Sequence, residues 1–137
     1  MNERVYMVWD YYDGVRSGVA DFGGEPHFFQ SRFDDVMDEY VDVFDLTPLD
    51  CETFENALEL WEIYRAWEIR FHSGKEPLNT HPRTAGDNSR YNKLDSLVQS
   101  AIESRKPTAQ TVAKFHVLEE QPGLPVGCMK EMEVEWV

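Results

Sequence analysis

The sequence contains few cysteines and no long apolar run, and both shortages limit what the protein can be. Cys51 and Cys128 are the only cysteines in a chain of 137 residues. A chain of this length does not need covalent staples, so we expect two free thiols in a reducing compartment rather than a disulfide. Two cysteines are also too few for a structural zinc site. The apolar runs are far shorter than the roughly 18 residues that a membrane-spanning helix needs, so we predict no membrane anchor.

Positive charge is scarce as well. The chain has 13 Lys and Arg against 26 Asp and Glu, which gives a formal net charge of −13. Nucleic-acid binding requires a basic stripe, so we expect no nucleic-acid partner, and anionic membrane surfaces are disfavoured for the same reason. The start of the chain lacks the basic and apolar regions of an export signal, which predicts a cytoplasmic protein.

The four histidines do not have the spacing of a metal site. No two of them form an i, i+4 pair or an H-E-x-x-H run, although His72 and His81 could meet across a loop. The chain also has no G-x-S-x-G motif, no P-loop and no strand-anchored G-x-G-x-x-G. We therefore predict no catalytic residue, no metal and no cofactor. The histidines are His27, His72, His81 and His116.

Cys51 is the one candidate nucleophile with a physical argument. It falls in the first turn of a predicted helix, where the helix dipole favours a thiolate. The neighbouring carboxylates of Asp50 and Glu52 oppose ionisation, so we interpret Cys51 as a buried or half-buried structural residue. The acidic segment 34–42 lacks the D-x-D-x-D-G spacing of a calcium loop and is interpreted as a solvated linker.

Apolar periodicity predicts six strands and two helices. With 42% apolar residues the chain can build a core despite its charge. Thr47 and Pro48 look like the start of the long helix and Gly74 like its end. The predicted strands cover 5–12, 18–22, 26–31, 40–46, 112–118 and 128–136, one helix covers 51–72, and a second helix starts near 87–89 and ends just before Pro107.

The element order predicts an α+β fold in one domain, residues 1–137. The strands form an antiparallel meander or partial barrel of about six strands, with the two-helix pair inserted between strands 4 and 5. Four residues of the long helix are expected to be buried: Phe54, Leu58, Trp61 and Tyr64.

The charge is unevenly distributed along the chain. Residues 31–68 contain twelve acidic and two basic residues, a net charge of −10, whereas residues 69–106 carry a net charge of +3. Such asymmetry affects association and choice of partner more than it affects the fold. Our first hypothesis is therefore an interaction protein of inhibitor or immunity type that binds a basic partner protein.

Two groups of residues could carry this binding. Glu55, Glu59 and Glu62 line the polar side of the long helix. Tyr11 and Tyr12 form an aromatic cluster bordered by carboxylates at a strand end, and such a cluster can bind a cationic surface.

The alternative hypothesis is a small-molecule-binding protein or an enzyme. Its aromatic-lined pocket would lie between the strands and the helices, where Tyr11 and Tyr12 would also contribute. A third interpretation is that the charge serves solubility alone. The pocket residues would be Trp61, Trp67, His27 and Arg65.

Overall fold

The computed structural model describes residues 2–85, 89–118, 121 and 123–137. In this part of the chain the order of elements confirms the α+β fold with helices inserted between strands 4 and 5. The strands are β1 (Asn2–Tyr11), β2 (Val15–Phe22), β3 (Glu25–Asp34), β4 (Glu39–Pro48), β5 (Ala109–Val117) and β6 (Met132–Trp136). The helices are α1 (Cys51–His72), α2 (Pro82–Ala85) and α3 (Ser89–Glu103), with a 3₁₀ turn at Leu78–Thr80.

The six strands form a closed antiparallel barrel in which each strand pairs with the next along the chain. β6 closes the barrel by pairing with β1, where Asn2, Glu3 and Arg4 lie opposite Glu135, Val134 and Glu133. Closure gives each of the six strands two neighbours, so none of them is an edge strand. The sheet is therefore a complete barrel rather than an open meander.

Four aromatic rings pack together in the core of the barrel. The rings of Phe29, Phe44, Phe115 and Trp136 lie with centroids 5.5 to 6.4 Å apart, mostly edge to face. Phe29 and Phe44 are fully buried. Aromatic pairs of this geometry contribute about 0.5–1.5 kcal/mol each beyond their buried area.

Gly18 gives one of these rings the space it needs. It lies opposite Val8 on β1 and opposite Phe29 on β3. A Cβ at this position would come 2.1 Å from the Met7 carbonyl oxygen and 2.9 Å from Cζ of Phe29. Only a residue without a side chain fits between the two strands.

The chain divides into two compact units. One is the barrel, and in the other α1 packs on α3 through a cluster that includes Leu60, Tyr91 and Leu94. That the whole chain is a single domain stays a prediction. The barrel unit comprises residues 1–49, 104–119 and 131–137, and the helical unit comprises 50–103 and 120–130.

The buried face of α1 differs from the predicted one. Leu60 and Trp67 are buried, whereas Trp61 is only partly buried. Successive helical residues are rotated by about 100°, so the residue next to the centre of the buried stripe lies at its margin. The three other residues predicted to be buried are also only partly buried: Phe54, Leu58 and Tyr64.

The predicted helix start at Thr47 is wrong, because Thr47 and Pro48 continue β4 and pair with β3. Asp50 is the residue before the first turn of α1. Pairing with β3 outweighs the local capping signal. The helix end is as predicted, since Gly74 follows Ser73 with φ +75°.

The last strand is shorter than predicted. β6 begins at Met132, and Cys128 lies in the turn-rich segment before it. Both cysteines are free, as predicted, but Cys51 is exposed rather than buried. No helix within the described residues is long and apolar enough to cross a membrane.

We expect Gly18→Ala to destabilise the barrel by at least about 2 kcal/mol, because the added methyl group meets a backbone oxygen that can move only with its strand. Denaturant unfolding followed by tryptophan fluorescence measures the change. Gln30→Ala, at an exposed position on β3, is the control and should change stability by less than about 0.5 kcal/mol. Equal stability of the two variants would contradict the close approach of β1 and β2.

Candidate functional site

Two turns emerge at the same end of the barrel, because strands of an antiparallel barrel alternate in direction. They are the β1–β2 turn at residues 12–14 and the β3–β4 turn at residues 35–38. A contact between the rings of Tyr12 and Tyr40 joins the two, with centroids 6.0 Å apart. We call the surface formed by both turns and the adjoining strand ends the barrel-end surface.

Three exposed aromatic rings form a continuous group on the barrel-end surface, which we call the aromatic array. The ring of Tyr40 contacts that of Tyr12 and also that of Phe33, at 5.1 Å between centroids. The exposed fractions are 72% for Tyr12, 46% for Phe33 and 40% for Tyr40. Adjacent exposed rings on a folded protein are typical of interaction sites.

The β3–β4 turn carries two further apolar side chains, Val36 and Met37, of which Val36 is 92% exposed. The side chain of Asp34 orders the turn, because its Oδ1 accepts hydrogen bonds from the backbone N–H of Val36 at 2.9 Å and of Met37 at 3.2 Å. Asp38 adopts φ +54°, a conformation that Asp tolerates in turns. The acidic segment predicted as a solvated linker is thus a hydrogen-bonded hairpin turn.

Exposed carboxylates lie in the same two segments as the exposed apolar groups. In segments 10–16 and 33–42 the only basic residue is Arg16, and its side chain is buried. Arg32, just outside, forms an ion pair with Asp45 at 3.2 Å. The exposed acidic residues of these segments are Asp10, Asp13, Asp35, Asp38, Glu39 and Asp42.

The buried side chain of Arg16 contacts both the β1–β2 turn and the ring of Tyr40 on β4. Its Nε donates a hydrogen bond to the carbonyl oxygen of Tyr12, and one terminal nitrogen donates to that of Asp13, both at 2.7 Å. The guanidinium carbon lies 5.2 Å from the centroid of the Tyr40 ring. A single buried cation therefore holds the β1–β2 turn, contacts β4, and offsets part of the acidic charge around it.

The structure brings Tyr12, one of the predicted binding residues, together with two residues that the sequence analysis missed. Tyr11 is also exposed, next to Tyr12. Phe33 and Tyr40 lie opposite each other in the β3–β4 register. Recognising residues 35–38 as a turn would have predicted this pairing.

The predicted binding glutamates belong to the helical unit. Glu55 and Glu62 are exposed on α1. Glu59 forms two hydrogen bonds with Arg90, at 2.5 and 2.7 Å, and this contact lowers the pKa of its carboxyl group. The structure thus divides the acidic stretch 31–68 between the two units, and the charge of Glu59 is paired.

Arg65, a predicted pocket residue, is engaged in contacts within the helical unit. It forms an ion pair with the buried Glu68 and donates a hydrogen bond to the Met129 carbonyl at 2.7 Å. Glu68 also accepts hydrogen bonds from the Tyr64 hydroxyl at 3.2 Å and from the Met129 N–H at 3.3 Å. Burial and the neighbouring Glu68 carboxylate raise the pKa of Tyr64 to about 12. These bonds attach Met129, in the turn-rich segment before β6, to α1.

The other predicted pocket residues lie in separate environments. Trp61 lies beside Arg65, with the guanidinium carbon 5.8 Å from its ring centroid. Trp67 donates a hydrogen bond from Nε1 to Thr80 at 2.9 Å. His27 belongs to the barrel, where its Nδ1 is 2.8 Å from the Glu25 carbonyl oxygen and therefore donates to it.

His81 packs against aromatic rings of the helical unit. Its ring centroid lies 4.6 Å from that of Trp67 and 5.5 Å from that of Tyr64. Its Nδ1 accepts a hydrogen bond from the backbone N–H of Arg83 at 3.0 Å, which requires the neutral ring. Burial, with a smaller effect of the Arg83 charge, lowers the pKa of His81.

Cys51 and Cys128 have opposite environments. Cys51 is exposed in the first turn of α1. Cys128 is buried, and burial together with the Glu68 carboxylate raises the pKa of its thiol. Among the residues with described positions, no group of three or more His, Cys, Asp or Glu side chains could hold a metal ion.

No protein-family model, no curated protein and no solved structure matches this chain.

We expect the free energy of unfolding to fall as the pH drops below about 6.5, because the pKa of His81 is lower in the folded chain than in the unfolded chain. The unfolded chain then binds more protons, and stability is lost as the pH falls through the folded-state pKa. Denaturant unfolding between pH 5 and 8 measures the slope. His81→Gln should flatten it, whereas His116→Gln, at an exposed position, should not. If the slope were unchanged in His81→Gln, the pH dependence of stability would not come from His81.

We expect one thiol of the native protein to react rapidly with a maleimide and the second to react only after unfolding. The reactive thiol should be that of Cys51, because Cys128 is buried and its thiolate is disfavoured. Mass spectrometry of the labelled peptides identifies the residue. Rapid labelling of native Cys128 would show that segment 121–130 opens readily.

Proposed function

We propose that this protein is an interaction module that binds a basic partner protein through the barrel-end surface, as an inhibitor or immunity-type protein does. The observation that carries the proposal is the exposed apolar surface of the aromatic array, Val36 and Met37, with exposed carboxylates in the same two segments of the chain. Interfaces typically combine a few aromatic or large apolar anchors with a polar rim. The acidic rim favours a positively charged partner.

The two parts of the surface have different roles in the proposed complex. The carboxylates attract a basic partner over distances up to about 8–10 Å at moderate salt, and so increase the association rate. The apolar side chains lose their water on contact and slow dissociation. The hydrogen-bonded turn holds Val36 and Met37 in place before binding, which reduces the entropy lost on association.

The glutamates of α1 are a second acidic surface in the proposal. Glu55 and Glu62 have exposed side chains, but Glu59 is paired with Arg90. We assign the main contact to the barrel-end surface, because its rings are exposed whereas the aromatic rings of α1 are buried or partly buried. We also propose a cytoplasmic location and no membrane or nucleic-acid partner, in keeping with the net charge of −13.

The small-molecule or enzyme hypothesis has less support. Arg65 is engaged by Glu68 and Met129, and the Nδ1–H of His27 is bound to a backbone carbonyl. Groups that are already hydrogen-bonded within the protein are poor candidates for binding a substrate. We retain this alternative as the second hypothesis, with no assigned cofactor.

Two matched charge reversals test the proposal. Asp35→Lys with Glu39→Lys alters the barrel-end surface, and Glu55→Lys with Glu62→Lys alters α1 by the same amount of charge. All four side chains are exposed, so we expect little change in stability. The partner is captured from cells that naturally make the protein, purified, and its binding kinetics are measured at low and moderate salt.

We expect the barrel-end variant to lower the association rate at low salt by about tenfold or more and to flatten its dependence on salt. The α1 variant should have a smaller effect. An unchanged rate for the folded barrel-end variant would refute the proposal and would leave the charge as a solubility feature. A larger effect of the α1 variant would move the contact to the helical unit.

A further inference from the structure

We infer that the aromatic array binds arginine side chains of the partner and discriminates against lysine. This inference rests on the proposed function and specifies the chemistry of the partner. It is carried by the contact of three exposed rings with one another and by the carboxylates beside them.

The rings offer faces to a cation. Tyr12 is the most exposed member of the array, and Tyr40 connects it to Phe33. Arg16 already places its guanidinium 5.2 Å from the Tyr40 centroid from the buried side. The chain therefore shows guanidinium–ring contact at this site, and the exposed parts of the rings remain accessible to a partner.

A carboxylate next to the array can complete the binding of a guanidinium. The Asp42 side chain is 81% exposed, and its Oδ1 lies 3.9 Å from Arg16, beyond hydrogen-bonding distance. Its oxygens can therefore accept hydrogen bonds from a second guanidinium. Asp13, at the other side of Tyr12, is also exposed. A cation over the rings would meet acceptors at the edge of the array.

The planar guanidinium fits this arrangement better than an ammonium group does. Arginine can stack on a ring while its N–H groups point outward to carboxylates, and it is more weakly hydrated than lysine. An ammonium group would have to lose its strongly held water to contact the rings. The exposed side chains of Val36 and Met37 in the β3–β4 turn add contact area for aliphatic residues of the partner that lie next to its arginine.

A second copy of this chain is a poorer occupant. The exposed charged side chains of segments 10–16 and 33–42 are all carboxylates, so two such surfaces repel each other. Charge complementarity instead favours a partner segment that carries arginines next to aliphatic residues.

The probes are two synthetic hexapeptides of equal length and charge, one with four arginines and two leucines, the other with lysine in place of every arginine. Calorimetric titration at about 50 and 150 mM salt measures their affinities. At the higher salt, we expect the arginine peptide to bind about tenfold more tightly than the lysine peptide, because screening weakens the charge attraction that both peptides share.

Removing the ring of Tyr12 separates the contribution of stacking to peptide binding from the contribution of charge. Tyr12→Ala should reduce the preference for arginine to about threefold or less, with little change in the weaker affinity for the lysine peptide. Leu97→Ala is the control, because Leu97 is an exposed apolar residue on α3, in the helical unit. It should retain the full preference. Asp42→Asn should weaken the binding of both peptides, and it should weaken the binding of the arginine peptide more.

Equal affinities for the two peptides, or no binding of either, would overturn the arginine inference. The proposed function would still stand if the Asp35→Lys/Glu39→Lys variant slowed binding of the natural partner, and it would fail separately if that variant had no effect. Light scattering gives a further check. A dimer of the wild-type chain that Tyr12→Ala dissociates would show that the array binds a second copy, and would also overturn the inference.

Discussion

The packing of four rings inside the barrel is the interaction on which the rest of the structure depends. Phe29, Phe44, Phe115 and Trp136 come from β3, β4, β5 and β6, so their contacts join strands that are distant in sequence. β6 must then pair with β1 for these rings to be enclosed. The antiparallel pairing of successive strands sets their directions, and thereby brings the first and third turns to the same end of the barrel.

The barrel-end surface combines features that are unfavourable on their own. Exposed rings beside exposed aliphatic side chains promote association, and neighbouring carboxylates repel one another. Arg16 reduces the repulsion between the carboxylates, because it places a buried positive charge near them. Its N–H groups are bound to the carbonyls of Tyr12 and Asp13. A surface that is kept ordered in spite of such costs is more typical of a binding site than of an inert one.

The helical unit illustrates a different use of buried charge. Glu68 is almost fully buried, but it receives hydrogen bonds from Tyr64 and Met129 in addition to its ion pair with Arg65. A buried carboxylate is tolerated when its oxygens are satisfied in this way. The result is that a turn-rich segment before β6 is attached to α1. Arg65 therefore serves the structure of this unit, although the sequence had suggested a pocket.

The sequence by itself determined the class of fold, because apolar spacing is a local property. The alternation of β1 and β6, the helical spacing of 51–72 and the turn at Gly23 and Gly24 were all sufficient to predict the element order. It also determined the charge asymmetry and the place of Tyr12 at a strand end, whereas the exposure of the Tyr12 ring was decided by the tertiary structure. Only the tertiary structure decided that Thr47 belongs to β4, because pairing with β3 competes with helix capping and no local pattern records that competition. The contact of Tyr12 with Tyr40, and the position of Arg16 beneath them, likewise depend on strand register and barrel closure, which arise from contacts between residues far apart in the chain.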